Sequence, residues 1–232
     1  SSINKNIAAA KEAARPANVK ITVITAPDCA GCFSVQNQVA DFKKQNVSVG
    51  EETSISFESD QAKSLIAQFN ITRVPTYIVT GEVGKKNLEA FVKSNGEIKN
   101  HTFIFTKAPP VFLDPITKKE FGKVTVTILT DASCPQCFNP KPIIESYKKA
   151  GININNTKEV SWNSVEGQRI IGQYKITKVP TFILSRDIDF YDNVKNSWTQ
   201  IGTIEQDKTY VVRNILLPYR DLSKRQVVGL VD

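Results

Sequence analysis

The sequence predicts an α/β protein made of two tandem copies of one unit, each a mixed β-sheet flanked by helices. Three observations carry this. The four cysteines fall as two Cys-x-x-Cys pairs, in "APDCAGCF" (residues 26–33) and "TDASCPQCF" (residues 130–138). Cys134 and Cys137 stand 105 positions after Cys29 and Cys32 (134 − 29 and 137 − 32). Each pair is followed 46 positions on (75 − 29 and 180 − 134) by a proline in a second matched segment, "FNITRVPTYIV" (69–79) and "YKITKVPTFIL" (174–184). Two agreements at one fixed offset mark a tandem duplication.

The elements follow in the same order in both copies. "VKITVIT" and "KVTVTIL" are β-branched runs bounded by turn residues and predict buried strands. The cysteines come next, then amphipathic stretches carrying Val35, Val39 and Phe42, or Ile143, Ile144 and Tyr147. A further strand follows ("TSISFE", "KEVSW"), then a short helix ("QAKSLIAQF", "EGQRIIGQY"). "PTYIV" and "PTFIL" predict the next strands, with hairpin-like sequence after them. Strand, helix, strand, helix and then consecutive strands is an α/β sandwich around a mixed sheet. The likeness runs on with a changed offset: "HTFIFTKAPPVFLD" resembles "KTYVVRNILLPYRD", with Gly122 and Gly229 eight residues beyond each final Asp (122 − 114 and 229 − 221). The expected organisation is an N-terminal helix or tether over 1–18, a first unit over 19–113, a second over 114–221 and a tail over 222–232. That tail reads either as the entry to a third copy, ending in "LVD", or as a segment that closes the second unit.

Composition narrows the function classes. No run of 18 or more apolar residues spans a membrane in this sequence. The net charge of +7 comes from lysines scattered singly and in pairs. A nucleic-acid surface concentrates its charge, so no nucleic-acid partner is expected. The chain has no methionine, even at position 1, and begins in a tether-like segment. An excised ectodomain has this form, and the expected location is extracytoplasmic or at the cell surface, with any membrane anchor lying outside this sequence.

A Cys-x-x-Cys between a strand end and a helix start places its first thiol at the helix N-terminus, where the helix dipole favours a thiolate. On that reading Cys29 and Cys134 attack, and Cys32 and Cys137 resolve the mixed disulfide. An X-Pro bond is where a cis peptide is least costly. A cis Pro75 or Pro180 facing the dithiol would leave the Val74 or Val179 backbone free to pair with an extended substrate strand. These four residues are the expected substrate-binding set.

The combination of Cys-x-x-Cys at a strand-to-helix junction and Val-Pro-Thr about 46 residues on resembles the thioredoxin fold. Two copies resemble protein disulfide oxidoreductases built from tandem thioredoxin-like units, relatives of protein disulfide isomerase. The resemblance covers the chain from about residue 19. It implies thiol–disulfide exchange with protein thiols or disulfides, a redox partner that the sequence does not identify, cis peptides at Pro75 and Pro180, and no cofactor. Pro142 falls where thioredoxins carry a helix-kinking proline, and Asn37 holds that place in the first unit. Other features depart from the family. Asp28 and Ser133 replace the Trp that precedes the first cysteine. Val23 and Ile128 replace a buried Asp that takes the resolving thiol's proton. Between the sites, Asp28 disfavours a thiolate at Cys29, so Cys134 is expected to be the more acidic thiol. Two rival readings remain. A zinc site built from all four cysteines needs the two pairs to meet across 102 residues (134 − 32). A tandem thioredoxin-like binding module or surface spacer would keep both pairs as structural disulfides.

Overall fold

The first β-branched run becomes the interior strand β1 (Ala17–Thr25), with Ala17, Val19, Ile21 and Val23 in one core cluster and Ile24 in the other. In the computed structural model, which describes residues 2–229, the chain divides into two units, Ser1–Phe121 and Gly122–Asp232. In the first unit, helix α1 (Ser2–Ala14) precedes β1 and is exposed along its described side chains. Helix α2 (Gln36–Lys43) crosses to β2 (Val47–Ser56), which runs parallel to β1. Helix α3 (Asp60–Phe69) returns the chain to β3 (Thr76–Gly81), antiparallel to β1. Helix α4 (Glu89–Asn95) and the hairpin of β4 (Gly96–Lys99) and β5 (Thr102–Phe105) complete a five-stranded sheet ordered β2-β1-β3-β5-β4. A short hairpin, β6 (Phe112–Leu113) and β7 (Glu120–Phe121), ends the unit.

The second unit repeats the plan. Strand β8 (Val124–Thr130), helix α5 (Lys141–Lys149), the parallel strand β9 (Ile154–Ser161) and helix α6 (Val165–Tyr174) come first. Then come β10 (Lys178–Val179) and β11 (Thr181–Leu184), helix α7 (Asp192–Lys195) between two 3-10 turns, and β12 (Gly202–Ile204) and β13 (Tyr210–Val212). The sheet order β12-β13-β11-β8-β9 is that of the first unit. The closing hairpin, β14 (Tyr219–Asp221) and β15 (Gln226–Val228), joins β10 in a separate three-stranded sheet.

Strand alternation divides each unit's core into two faces. Val19, Ile21 and Val23 meet Val39 and Phe42 of α2, while Ile24 on the other face meets Ala62, Ile66 and Phe69 of α3. In the second unit Val124, Val126 and Ile128 meet Ile144 of α5, and Leu129 meets Ile170 of α6. Aromatic rings fill the first face: Phe42 stacks on Phe103 at 6.1 Å, and Trp198 meets Tyr210 edge-on at 5.1 Å. Trp198 is fully buried and its indole N–H donates to the Thr203 carbonyl at 3.0 Å.

Local signals explain the element ends. The Ser59 and Ser164 side chains cap α3 and α6 by accepting from the Ala62 and Gly167 amides. Asn70 and Lys175 close the same helices in the left-handed region, at φ 53° and 51°. Gly96 and Gly202 open β4 and β12 where a Cβ would lie 1.9 Å from the Ile104 or Val211 carbonyl oxygen. The threonine of each Val-Pro-Thr segment has a structural task. The Thr76 and Thr181 hydroxyls donate to the Phe105 and Val212 carbonyls, tying β3 to β5 and β11 to β13.

The structure differs from the sequence reading at several points. Helix α4 interrupts what reads as continuous strand and hairpin sequence, because Leu88 and Val92 bury one face while Glu89 pairs with Lys93 on the other. Pro142 is the second residue of α5, within the first turn where a proline's missing N–H costs nothing, so it does not kink the helix. The expected boundary at 113/114 falls inside the β6–β7 hairpin, which belongs to the first unit through the pairing of Leu113 with Val74. Residues 222–229 likewise return along β14. Residues 230–232, the "LVD" read as the entry to a third copy, lie outside the described residues.

Candidate active sites

Each Cys-x-x-Cys pair follows the first sheet strand of its unit, β1 or β8, and forms a disulfide. The S–S distances are 2.02 Å for Cys29–Cys32 and 2.09 Å for Cys134–Cys137. The pairs do not sit at a helix N-terminus, as their spacing suggests. They lie in successive turns, with Cys29 N–H donating to Ala26 O and Cys32 N–H to Cys29 O, and the same pattern from Asp131 to Cys137. The helices begin at Gln36 and Lys141. The reason lies in the next amide. A helix running from Cys29 would need the Phe33 N–H to donate to Cys29 O; instead it donates to Val111 O at 2.9 Å. Phe138 N–H likewise donates to Pro218 O at 2.7 Å. The helix dipole therefore does not act on Cys29 or Cys134, and burial decides access. Cys29, Cys134 and Cys137 are 7%, 5% and 8% exposed, and Cys32 is half-buried.

The segments that take those amides also occupy the expected substrate edge. Val74–Pro75 and Val179–Pro180 are cis peptides and both prolines are buried; in the first unit Val74 shares a core cluster with Cys29. The Val74 backbone, however, is not free. Its N–H donates to Leu113 O and its carbonyl accepts from Leu113 N–H, both at 2.9 Å. Val179 pairs with Arg220 and Lys178 with Asp221, both antiparallel. Each unit thus places a strap from its own closing hairpin, residues 110–113 or 217–221, across its own site. Cys32 Sγ lies 4.0 Å from the Val74 carbonyl oxygen. Both straps end in an Asx turn: Asp114 accepts from the Ile116 and Thr117 amides, and Asp221 from the Ser223 and Lys224 amides.

The straps differ in chemistry. The first is apolar: Val111, Phe112 and Leu113 are buried, Val111 and Leu113 share a cluster with Cys29 and Val74, and Arg73 lies 4.4 Å over the Phe112 ring. The second is half-exposed and held by charge. Arg220 Nε donates to Asp131 Oδ2 at 2.7 Å and its Nη2 to Ser133 Oγ at 2.7 Å. The Asp131 side chain is 1% exposed and also accepts from the Ser133 amide and hydroxyl. Burial opposes its ionisation, but the hydrogen bonds from Ser133, Arg220 and Trp162 outweigh it and hold its pKa below the usual carboxylate range. The Arg220 guanidinium lies 5.6 Å over the Trp162 ring.

No protein-family model matches the chain, and neither does any curated protein. The solved structures that match include three of low similarity. One is the N-terminal N/C domain of alkylhydroperoxide reductase AhpF from Enterococcus faecalis, at 12% identity over 79% of this chain and 89% of that one, with a TM-score of 0.22. A mutant AhpF from the same organism gives 14% identity, 79% and 89% coverage and a TM-score of 0.23. A protein disulfide oxidoreductase from Aeropyrum pernix gives 18% identity, 81% and 88% coverage and a TM-score of 0.21. The assignment rests on each unit's own design: a parallel strand pair joined through a helix, a third strand antiparallel to the first, a Cys-x-x-Cys after the first strand and a Val-Pro-Thr before the third. By this design each of the two units has a thioredoxin-like fold.

The positions at which thioredoxins carry a buried Asp are apolar in both units, with Val23 2% and Ile128 1% exposed in the core. The buried acid of the second unit is Asp131 instead, three residues before Cys134. Sequence reasoning missed Asp131 and Arg220, although a signal was present. Both stand where the first copy has an apolar residue, Ala26 and Leu113, so two opposite charges enter the second copy together. Asp28 is exposed, and His101 is exposed in the β4–β5 turn with φ 59°. Among the described residues, no group of three or more His, Cys, Asp and Glu side chains could hold a metal ion, and no helix is long and apolar enough to cross a membrane.

Proposed function

We propose that the protein exchanges disulfides with protein thiols through its two Cys-x-x-Cys pairs. The thiolate of a substrate attacks one sulfur of the protein disulfide, the protein S–S bond breaks, and a mixed disulfide forms. A second substrate thiolate then displaces the protein sulfur, leaving a substrate disulfide and a protein dithiol. On this reading Cys29 and Cys134 carry the mixed disulfide while Cys32 and Cys137 leave as thiolates. In the reverse direction, reduction of a substrate disulfide, Cys32 and Cys137 attack the mixed disulfide and resolve it. In the first unit exposure favours Cys32 as the entry point, and trapping with Cys29→Ser and Cys32→Ser separates the two assignments.

The observation that carries this reading is the repetition of a small disulfide ring at one topological position beside Val-Pro-Thr. A ring this short restrains the unfolded chain little, about 2 kcal/mol by loop-closure entropy. Stapling alone is therefore a modest return for keeping four cysteines in two exact repeats. The burial of the sulfurs beneath the straps favours a second reading, a binding module with structural disulfides.

Redox titration decides between them. The whole chain is equilibrated in graded glutathione buffers and each cysteine is counted by alkylation and peptide mass. Two reversible two-electron transitions between about −120 and −280 mV support exchange. Pairs that remain oxidised at every poise support the binding module.

A further inference from the structure

The straps lie where an incoming strand would pair, so each shows what its site can hold. The geometry points to a substrate preference at the second site: an extended protein strand that carries an arginine or lysine opposite Val179, entering in place of β14 and pairing its basic side chain with Asp131. This rests on the exchange reading above and adds the class of substrate.

Four observations combine. The edge at Lys178–Val179 is made for antiparallel backbone pairing, and β14 now fills it. The occupant opposite Val179 is Arg220, whose guanidinium reaches Asp131 and Ser133, immediately before Cys134. Asp131 is buried, so a strand without a cation there would strand an unpaired carboxylate in the interior. The occupant is also displaceable: β14 is half-exposed, and Leu216 and Leu217 before it are 69% and 59% exposed. The first unit lacks the buried acid and the strap guanidinium of this arrangement. Leu113 stands opposite Val74, Ala26 stands in place of Asp131, and the strap is part of the core. The acid beside the first site, Asp28, is exposed to solvent, so its attraction for a basic strand is screened and leaving it unpaired costs little. Displacing the strap would open the core beneath Cys29.

The test uses the oxidised full chain and short peptides bearing one cysteine. A single neighbouring position, set at varied spacing from the cysteine, is Arg, Leu or Glu. The peptide thiolate attacks the Cys134–Cys137 bond. One protein sulfur joins the peptide in a mixed disulfide, and the other leaves as a thiolate that takes up a proton. The rate of adduct formation at each pair is read by peptide mass. At the best spacing the Arg peptide is expected to react with the second pair about tenfold faster than the Leu or Glu peptide, as one unpaired buried charge requires. Asp131→Asn should abolish that preference, each peptide rate being taken relative to the same variant's rate with free glutathione. Arg220→Ala, which removes the competing guanidinium, should raise the Arg-peptide rate above wild type. The first pair should show no preference for Arg.

Equal rates for the three peptides at the second pair, or a preference that survives Asp131→Asn, overturn the inference and leave exchange standing. Failure of both pairs to react with glutathione, in wild type and in Arg220→Ala, overturns the exchange reading and this inference with it.

Discussion

At the residue scale the Asp131–Arg220 pair is the most consequential contact outside the disulfides. Its carboxylate is buried, its guanidinium is 18% exposed, and both belong to the second unit. Arg220→Ala leaves the carboxylate buried with only Ser133 and Trp162 as donors, and is expected to cost about 2–3 kcal/mol in denaturant unfolding at pH 7. The pH dependence follows from the direction of the shift. Asp131 has a lowered folded pKa, so its contribution is complete above the unfolded value of about 3.9 and is lost as pH falls through the lower folded value. Wild type should therefore lose more stability than Asp131→Asn as pH falls below about 4, with the two curves converging in acid. Unfolding midpoints of both proteins at pH 7 and in acid check this. Parallel curves at every pH would mean that folding leaves the Asp131 pKa unshifted, and a wild type that gains stability relative to Asp131→Asn in acid would mean that burial raises it.

At the element scale the straps matter most, because they set where the dithiols lie. By claiming the Phe33 and Phe138 amides they hold each Cys-x-x-Cys in turns ahead of the helix, and they fill the edge beside Val74 and Val179. The two should differ in opening free energy. Val111–Leu113 is buried in the core, whereas 217–221 is half-exposed. Native-state hydrogen exchange should show the Leu113 amide exchanging at least about tenfold more slowly than the amides of Tyr219–Asp221. Comparable protection in the two straps would contradict the unequal closure. The β-branched strands, the short helices and the hairpin turns were legible because their periodicity and capping are local. Helix α4 was not, since only Leu88, Val92 and the Glu89–Lys93 pair distinguish it from strand sequence.

At the scale of the whole molecule, each of the four core clusters draws its residues from a single unit. The disulfides close rings too small to hold such cores together. Complete reduction is expected to cost about 2 kcal/mol per pair and to leave both units folded. Far-UV circular dichroism before and after reduction, with thiols counted, tests this. Collapse on reduction would favour structural disulfides over exchange.

The sequence by itself determined the duplication, the α/β class, most of the order of strands and helices, and the two cysteine pairs with their Val-Pro segments. It could do so because each rests on repetition at fixed spacing or on local periodicity, which a chain displays without being folded. Only the tertiary structure decided that the dithiols precede their helices, that Val74 and Val179 are already paired, and that Asp131 meets Arg220. Each of these joins residues between 39 and 89 positions apart (113 − 74, 111 − 33, 220 − 131 among them). Hydrogen bonds of such separation leave no periodic trace, and the competition for the Phe33 and Phe138 amides is settled only when the closing hairpin has folded back across the site.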